Sequence, residues 1–184
     1  MSDKLNIIGI SGSLRKKSFN KMLLDELFDS ASGNWNSEIG DISEIPLYNA
    51  DVEANGIPES VINLGTKISK ADGLIIVTPE YNYSIPGVLK NTIDWLSRIK
   101  NAPLKNKPVG ILGASMSLTG TVRSQSHLRL VAVQTEMLIM NKPDVYVAQA
   151  QNKFDEEGKL TDEKTKSVIN KFADSFTIWV NKIK

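Results

Sequence analysis

The sequence contains no cysteine, which excludes disulfides, thiolate nucleophiles and cysteine-bound metals and leaves the redox compartment undecided. It contains one histidine, His127, so a histidine-held metal is not expected. An excess of charge of one sign is missing too: 22 basic and 21 acidic residues leave a formal net charge of +1. No bulk field then favours nucleic acid or an acidic membrane surface, and neither is expected as a partner. No apolar run approaches the ~20 residues of a membrane span, so membrane insertion is not expected. Apolar residues of a first strand begin at Leu5, which leaves no space for a signal peptide ahead of it; a cytoplasmic location is the expectation. Two common nucleotide loops are absent as well. G-x-G-x-x-G and G-x-x-x-x-G-K-[ST] have no match, which argues against a standard NAD-binding Rossmann domain and a P-loop NTPase.

What is present is 184 residues with 41% hydrophobic and 23% charged side chains, ordinary values for one domain with a real core. Apolar runs alternate with helical periodicity. Leu5–Ile10 reads as a buried strand, and Asn20–Ser32 as a helix with Leu23, Leu24, Leu27, Phe28 and Ala31 on one face. Ser18 is placed to cap that helix. Ser37–Ile42 alternates as an edge strand would, and Ser43–Gly56 reads as a polar connection. A second helix starts at Pro58 and carries Val61, Ile62, Leu64, Gly65 and Ile68. Leu74–Thr78 is a strand, Pro86–Arg98 a helix, Pro108–Gly113 a strand and Thr121–Glu136 a helix. Met137–Met140 and Asp144–Val147 share a last strand broken at Pro143, and Asp162–Lys184 is a helix with Val168, Phe172, Phe176, Trp179, Val180 and Ile183 in register. Five β–α units with buried strands imply a parallel sheet covered on both faces. They suit a flavodoxin-like three-layer α/β sandwich, its five-stranded parallel sheet in the order 2-1-3-4-5.

In that order three loops meet at the carboxyl ends of the strands: residues 11–20, 79–86 and 114–120. The first carries Gly9 and Gly12, hydroxyls at Ser11, Ser13 and Ser18, and the cations Arg15, Lys16 and Lys17, just ahead of a helix amino end. Free N–H groups and about half a positive charge make such an end an anion site. The second, Thr78-Pro79-Glu80-Tyr81-Asn82-Tyr83-Ser84-Ile85-Pro86, is a stiff aromatic bend on which a flat ring would pack. The third, Ala114–Gly120, is small and polar. His127 falls on a helix beside Arg123 and Arg129, away from these loops, and reads as a surface or interface residue. Trp95 and Trp179 read as core or subunit packing.

Gly12-Ser13-Leu14-Arg15-Lys16-Lys17-Ser18-Phe19-Asn20, together with the run from Pro79-Glu80-Tyr81-Asn82-Tyr83-Ser84 through Trp95 to Arg98, resembles the NAD(P)H-dependent FMN reductase family, in particular bacterial flavoproteins that reduce quinones, chromate and azo dyes. The resemblance runs from the first strand to the last helix. It implies bound FMN, reduced by NADPH or NADH, and two-electron transfer to a small-molecule acceptor. It implies that Ser13, Arg15, Ser18 and Asn20 hold the FMN phosphate, with Phe19 beside them. It also implies that Pro79, Glu80, Tyr81 and Asn82, with Tyr83, line the ring, and that Ser115 adds a contact. The cofactor carries the reaction, so no catalytic side chain is assigned. The family resemblance further implies a homo-oligomer. Ser117, Leu118 and Ser126 depart from the nearest group in a region tied to subunit contacts, which places a homodimer ahead of a homotetramer. Two other readings are kept. One is a flavodoxin-type electron carrier without its own NAD(P)H oxidation, against which near-neutrality speaks. The other is a flavin-free nucleoside hydrolase or transferase, for which Glu80 is the one well-placed carboxylate.

Overall fold

A computed structural model of the chain describes residues 4–183. Every strand pairing in its sheet is parallel. In chain order the elements are β1 (Leu5–Ser11), α1 (Phe19–Ala31), β2 (Trp35–Ile39), α2 (Ala50–Ala54), α3 (Glu59–Lys70), β3 (Gly73–Val77), α4 (Gly87–Leu96), β4 (Pro108–Ala114), α5 (Val122–Gln134), β5 (Leu138–Ile139), β6 (Val145–Val147) and α6 (Glu163–Ile183). The sheet runs β2-β1-β3-β4-β5, with β6 also paired to β4. This is the expected flavodoxin-like order, and it arises because β1 pairs with β3 on one side and β2 on the other. Leu74, Ile75, Ile76 and Val77 of β3, and all of β4, are buried, as strands covered on both faces must be. One core lies between the sheet and α1 and α6, around Leu23, Leu27, Phe172 and Phe176. The other lies under α3, α4 and α5, around Leu64, Ile68, Ile93, Trp95 and Leu128. Trp95 is core: it is fully buried and donates its indole N–H to the carbonyl of Pro46 at 2.8 Å.

Three details differ from the sequence expectation. β2 begins at Trp35 rather than Ser37 and ends at Ile39. Trp35 pairs with Leu5 and is buried against Phe176, its indole N–H donated to Thr177 at 2.8 Å. The 43–56 connection holds a short helix, α2, started by the side chain of Asn49, which accepts the amide of Asp51. The last strand is broken around Pro143 as expected, its two pieces on the same edge of β4: β5 pairs Pro108 and Val109, and β6 pairs Leu112 to Ala114. In α6 the inward stripe is Thr165, Ile169, Phe172, Ala173, Phe176 and Val180, so Ile169 takes the buried position expected of Val168. Both are apolar neighbours, and only the direction from which the sheet is met chooses between them. Ile62 of α3 is likewise turned outward. The last helix was expected to run through Lys184, which lies outside the described residues.

The α6 register gives a direct test. Ile169→Ala empties a fully buried site and should lower stability by about 2–5 kcal/mol, whereas Val168→Ala should stay within about 1 kcal/mol. Urea unfolding followed by circular dichroism separates the two.

Candidate functional site

The loop after β1 turns sharply into α1. Ser18 adopts an extended conformation ahead of the helix, and its hydroxyl accepts the amide of Asn20 at 3.2 Å. This is the expected N-cap. No acidic residue stands in the first turn of α1, so its positive end is not neutralised from within the helix. Ser13 and Ser18 are buried, while Arg15, Lys16 and Lys17 are exposed. The Arg15 guanidinium lies 5.4 Å from the centre of the Phe19 ring. Gly12 donates its amide to Val77 at 2.8 Å, and a side chain there would press within 3.1 Å of Leu89 and 3.3 Å of Pro79. Glycine is what lets the first two loops touch.

The side chain of Asn20 reaches across to the end of β4. Its amide nitrogen donates to the carbonyl of Ala114 at 2.9 Å, and its carbonyl oxygen accepts the amide of Ala114 at 2.8 Å. All three groups are buried. Asn20 therefore braces α1 against the end of β4. These bonds use one N–H and one oxygen lone pair of an amide that has two of each, so the phosphate contact of Asn20 stays an expectation.

The loop after β3 is a tight hairpin. Tyr81 and Ser84 exchange two backbone hydrogen bonds of 3.0 Å, and between them Asn82 and Tyr83 take φ of 49° and 65°. Left-handed backbone at both central residues is what a two-residue hairpin needs, and glycine is the usual occupant. Here the Arg123 guanidinium, 3.9 Å from the centre of the Tyr83 ring, packs on the bend. Tyr81 and Tyr83 are exposed at 52% and 65%, so they are not local core. Below them the carbonyl of Pro79 accepts hydroxyls from Thr78 and Ser124 at 2.8 and 2.9 Å, a buried pair that the sequence did not single out.

Glu80 is partly buried, with its side chain 7% exposed, and points at α5. Its carboxylate accepts the amides of Arg123 at 2.9 Å and Ser124 at 3.1 Å, and it lies 3.4 Å from the Arg123 guanidinium. α5 makes no cap with Thr121, the residue ahead of it, so a carboxylate 43 residues away closes the helix end instead. Glu80 is thus a brace for the second loop and is engaged too fully to serve as a free nucleophile. His127 is exposed, as expected, but it is not remote from the loops: its Nδ1 lies 3.0 Å from the hydroxyl of Ser84.

Ser13, Arg15, Ser18, Phe19, Asn20, Pro79, Glu80, Tyr81 and Ser115 line one cleft of about 260 Å³ at the carboxyl edge of the sheet. Asn82 and Tyr83 stand outside it, on the tip of the hairpin. Ala114 and Met116 line it and were not singled out; their position just after β4 was the available signal. In the third loop the Ser115 hydroxyl accepts the amide of Ser117 at 3.2 Å, and its own amide goes to Val147 at 2.9 Å.

The family described as NADPH-dependent FMN reductase matches residues 5–152. The chain belongs to that family. It is 45% identical over 184 residues to an NAD(P)H-dependent FMN reductase of Pseudomonas aeruginosa, covering the whole of both chains. It is 42% identical over 187 residues to a quinone reductase of Escherichia coli K12, again end to end. Among solved structures it is similar to FerB, a flavoenzyme NAD(P)H:(acceptor) oxidoreductase from Paracoccus denitrificans, with a TM-score of 0.88 and 34% identity over 97% of this chain and 98% of that one.

The residues present fit FMN, the group this family uses. A helix amino end without an acid, two buried serines and three nearby cations offer a dianionic phosphate N–H and O–H donors and positive charge. The Pro79–Tyr81 wall, fixed by Thr78, Ser124 and the α5 cap, is stiff enough to support a planar ring. Replacing Glu80 tests that fixing. Glu80→Ala leaves two helix amides without their carboxylate and should lower stability by about 1–3 kcal/mol in urea unfolding, while Glu80→Gln, which keeps an acceptor, should lose less than half as much.

Proposed function

We propose that this chain is an FMN-dependent NAD(P)H oxidoreductase that passes two electrons to quinones or similar small acceptors, chromate and azo compounds among them. The observation that carries this reading is the meeting of three loops at the end of β1, β3 and β4, one basic and headed by an open helix end, one a rigid aromatic bend. Bound FMN would supply the redox chemistry, a two-electron reduction of the acceptor at the expense of the nicotinamide donor, with protons exchanged with solvent. The protein supplies place and charge. Ser13, Ser18 and the α1 amide end, with Arg15 over them, hold the phosphate. Pro79, Tyr81 and the backbone of Glu80 line the ring, and Ser115 and Met116 close the side under β4. Asn20 and Glu80 keep these surfaces in register without touching the acceptor.

Two observations weigh against the alternatives. A flavodoxin-type carrier docks through strong negative charge, and this chain carries a net +1. A flavin-free hydrolase would need the Glu80 carboxylate, which α5 holds. The same proposal takes residues 1–184 as a single flavodoxin-like FMN-binding domain, because both cores pack on one sheet. It places the protein in the cytoplasm, where its donor dinucleotide is found; among the described residues no helix is long and apolar enough to cross a membrane. It makes the protein a homodimer, since Leu118, Leu130 and Val133 stand 81%, 71% and 78% exposed on α5 and the loop before it.

Anaerobic absorbance spectra test the activity. Purified protein should take up FMN, lose the flavin absorbance on addition of NADH or NADPH, and regain it with a quinone. A protein that refuses FMN, or that holds FMN without oxidising NAD(P)H, overturns the reading. Arg15→Ala should weaken FMN binding about 10- to 150-fold, the cost of roughly 1.5–3 kcal/mol for one charge-assisted bond. Light scattering should give twice the chain mass, and Leu130→Glu should return it to the monomer.

A further inference from the structure

On the other side of the first loop lies a second cavity, of about 350 Å³, a volume within the usual ~300–1,000 Å³ of small-molecule sites. It opens at the carboxyl ends of β1 and β2 and is backed by the first two turns of α1. Ser13 lines both this cavity and the flavin cleft, so the phosphate loop is the wall between them. Leu14, Leu24, Ile39 and Ile42 make the walls apolar, and two of them, Leu14 and Ile39, are half exposed as an unfilled slot would leave them.

Four polar side chains face this slot with no structural task that accounts for all of them. Asp41 stands two residues past β2. The amide and hydroxyl of Ser43, each at 2.9 Å, hold its carboxyl below the usual range, so it is ionised at neutral pH. Asp25 and Lys21, one turn apart on α1, line the opposite side. Ser11 is the fourth. It is 6% exposed, and its hydroxyl has no hydrogen-bond partner among the described residues. Strand alternation puts its side chain on the same face as position 9, where an added Cβ would meet Leu24 and Phe28 of α1. That is the face on which the cavity lies. A buried hydroxyl left without a partner is destabilising, and a ligand that bonds to it removes that cost.

We propose that this cavity receives the adenosine end of an adenine nucleotide whose phosphate lies toward the first loop. The argument is positional. In dinucleotide-binding open sheets the phosphate sits at the head of the helix after the first strand and an acid after the neighbouring strand takes the ribose hydroxyls; this chain lacks the glycine fingerprint of those sheets but places a helix head and an acid at the same two positions. Here the flavin cleft extends from the loop toward β3 and β4, and the unassigned cavity extends from the same loop toward β2. Asp41 is the acid in the ribose position, Ser11 and Asp25 are further partners for hydroxyls or ring nitrogens, and the aliphatic walls suit a flat base. With two carboxylates and one lysine on its lining the cavity disfavours a further phosphate on the ribose, so a donor of the NADH type is preferred to its 2′-phosphorylated counterpart. The choice of adenosine rests on the FMN-reductase reading. Two sources share the chemistry, the nicotinamide donor and the adenylate of FAD.

Calorimetry with two forms of the protein separates these. FMN-loaded protein is titrated with ADP-ribose and with 2′-phospho-ADP-ribose, and FMN-free protein with FMN and with FAD. Binding of ADP-ribose to the FMN-loaded form, at least fivefold tighter than its 2′-phosphate, assigns the cavity to the donor. FAD binding tighter than FMN assigns it to the flavin's own adenylate. In either case Asp41→Asn, Asp25→Asn and Ser11→Ala should each weaken the adenosine-dependent binding about three- to tenfold and leave FMN affinity unchanged. A protein that binds FMN normally but neither binds ADP-ribose nor prefers FAD overturns this proposal and leaves the oxidoreductase reading intact. So does adenosine-dependent binding that none of the three variants alters. Failure to bind FMN at all would overturn the oxidoreductase reading instead.

Discussion

Two hydrogen bonds between the Asn20 amide and the backbone of Ala114 hold the site together. They join the first turn of α1 to the last residue of β4, across 94 residues of sequence, in a region closed to water. In such surroundings an unpaired amide would be costly, so the pair admits little displacement. Close contact on either side tightens the fit. Gly12 lets the first loop rest on Pro79 and Leu89, and a Cβ at Gly113 would overlap Thr121 and the carbonyl of Thr78. The cleft is therefore a fixed product of the sheet edge.

Of the helices that start at this edge, α1 and α5 are treated differently. The end of α5 is closed by its own carboxylate, Glu80, delivered from the second loop. The end of α1 has a neutral cap, Ser18, and no acid in its first turn. An anion arriving at the first loop therefore finds an open helix end flanked by Arg15, Lys16 and Lys17. The same Glu80 that closes α5 also anchors the hairpin bearing Tyr81 and Tyr83, whose left-handed bend is packed against Arg123. Charge placement and ring support thus share one residue. Asn20, Glu80, Thr78 and Ser124 direct polar groups to distant parts of the protein, whereas Ser13 and Ser18 accept amides of their own turn and Arg15 is exposed.

Much of this was legible in the chain because it depends on short-range order. The N-cap Ser18, the basic turn and the hairpin loop are each set by residues within a few positions of one another. The buried runs of β3 and β4 stand out because a strand covered on both faces has no polar side. The details that escaped share another property. Trp35 follows Gly33-Asn34 and reads as part of a turn until Leu5 and Phe176 are placed beside it. Val168 and Ile169 are equally apolar, and only the approach of α6 to the sheet selects Ile169. Asn20 and Glu80 carry the residue types of ligand contacts, and nothing nearby in sequence reveals that Ala114 and α5 bond to them.

The amino-acid sequence by itself determined the alternation of strands and helices, the order of the sheet, and the presence of a phosphate-type turn and an aromatic bend at its carboxyl edge. Those properties follow from periodicity and local capping, which act over one or two turns of chain. Only the tertiary structure decided which polar side chains brace the site, because hydrogen-bond partners 43 and 94 residues distant are chosen by the packing of whole elements. It also decided that the first loop has cavities on both of its sides, since the second is enclosed by β2 and α1 together and belongs to neither.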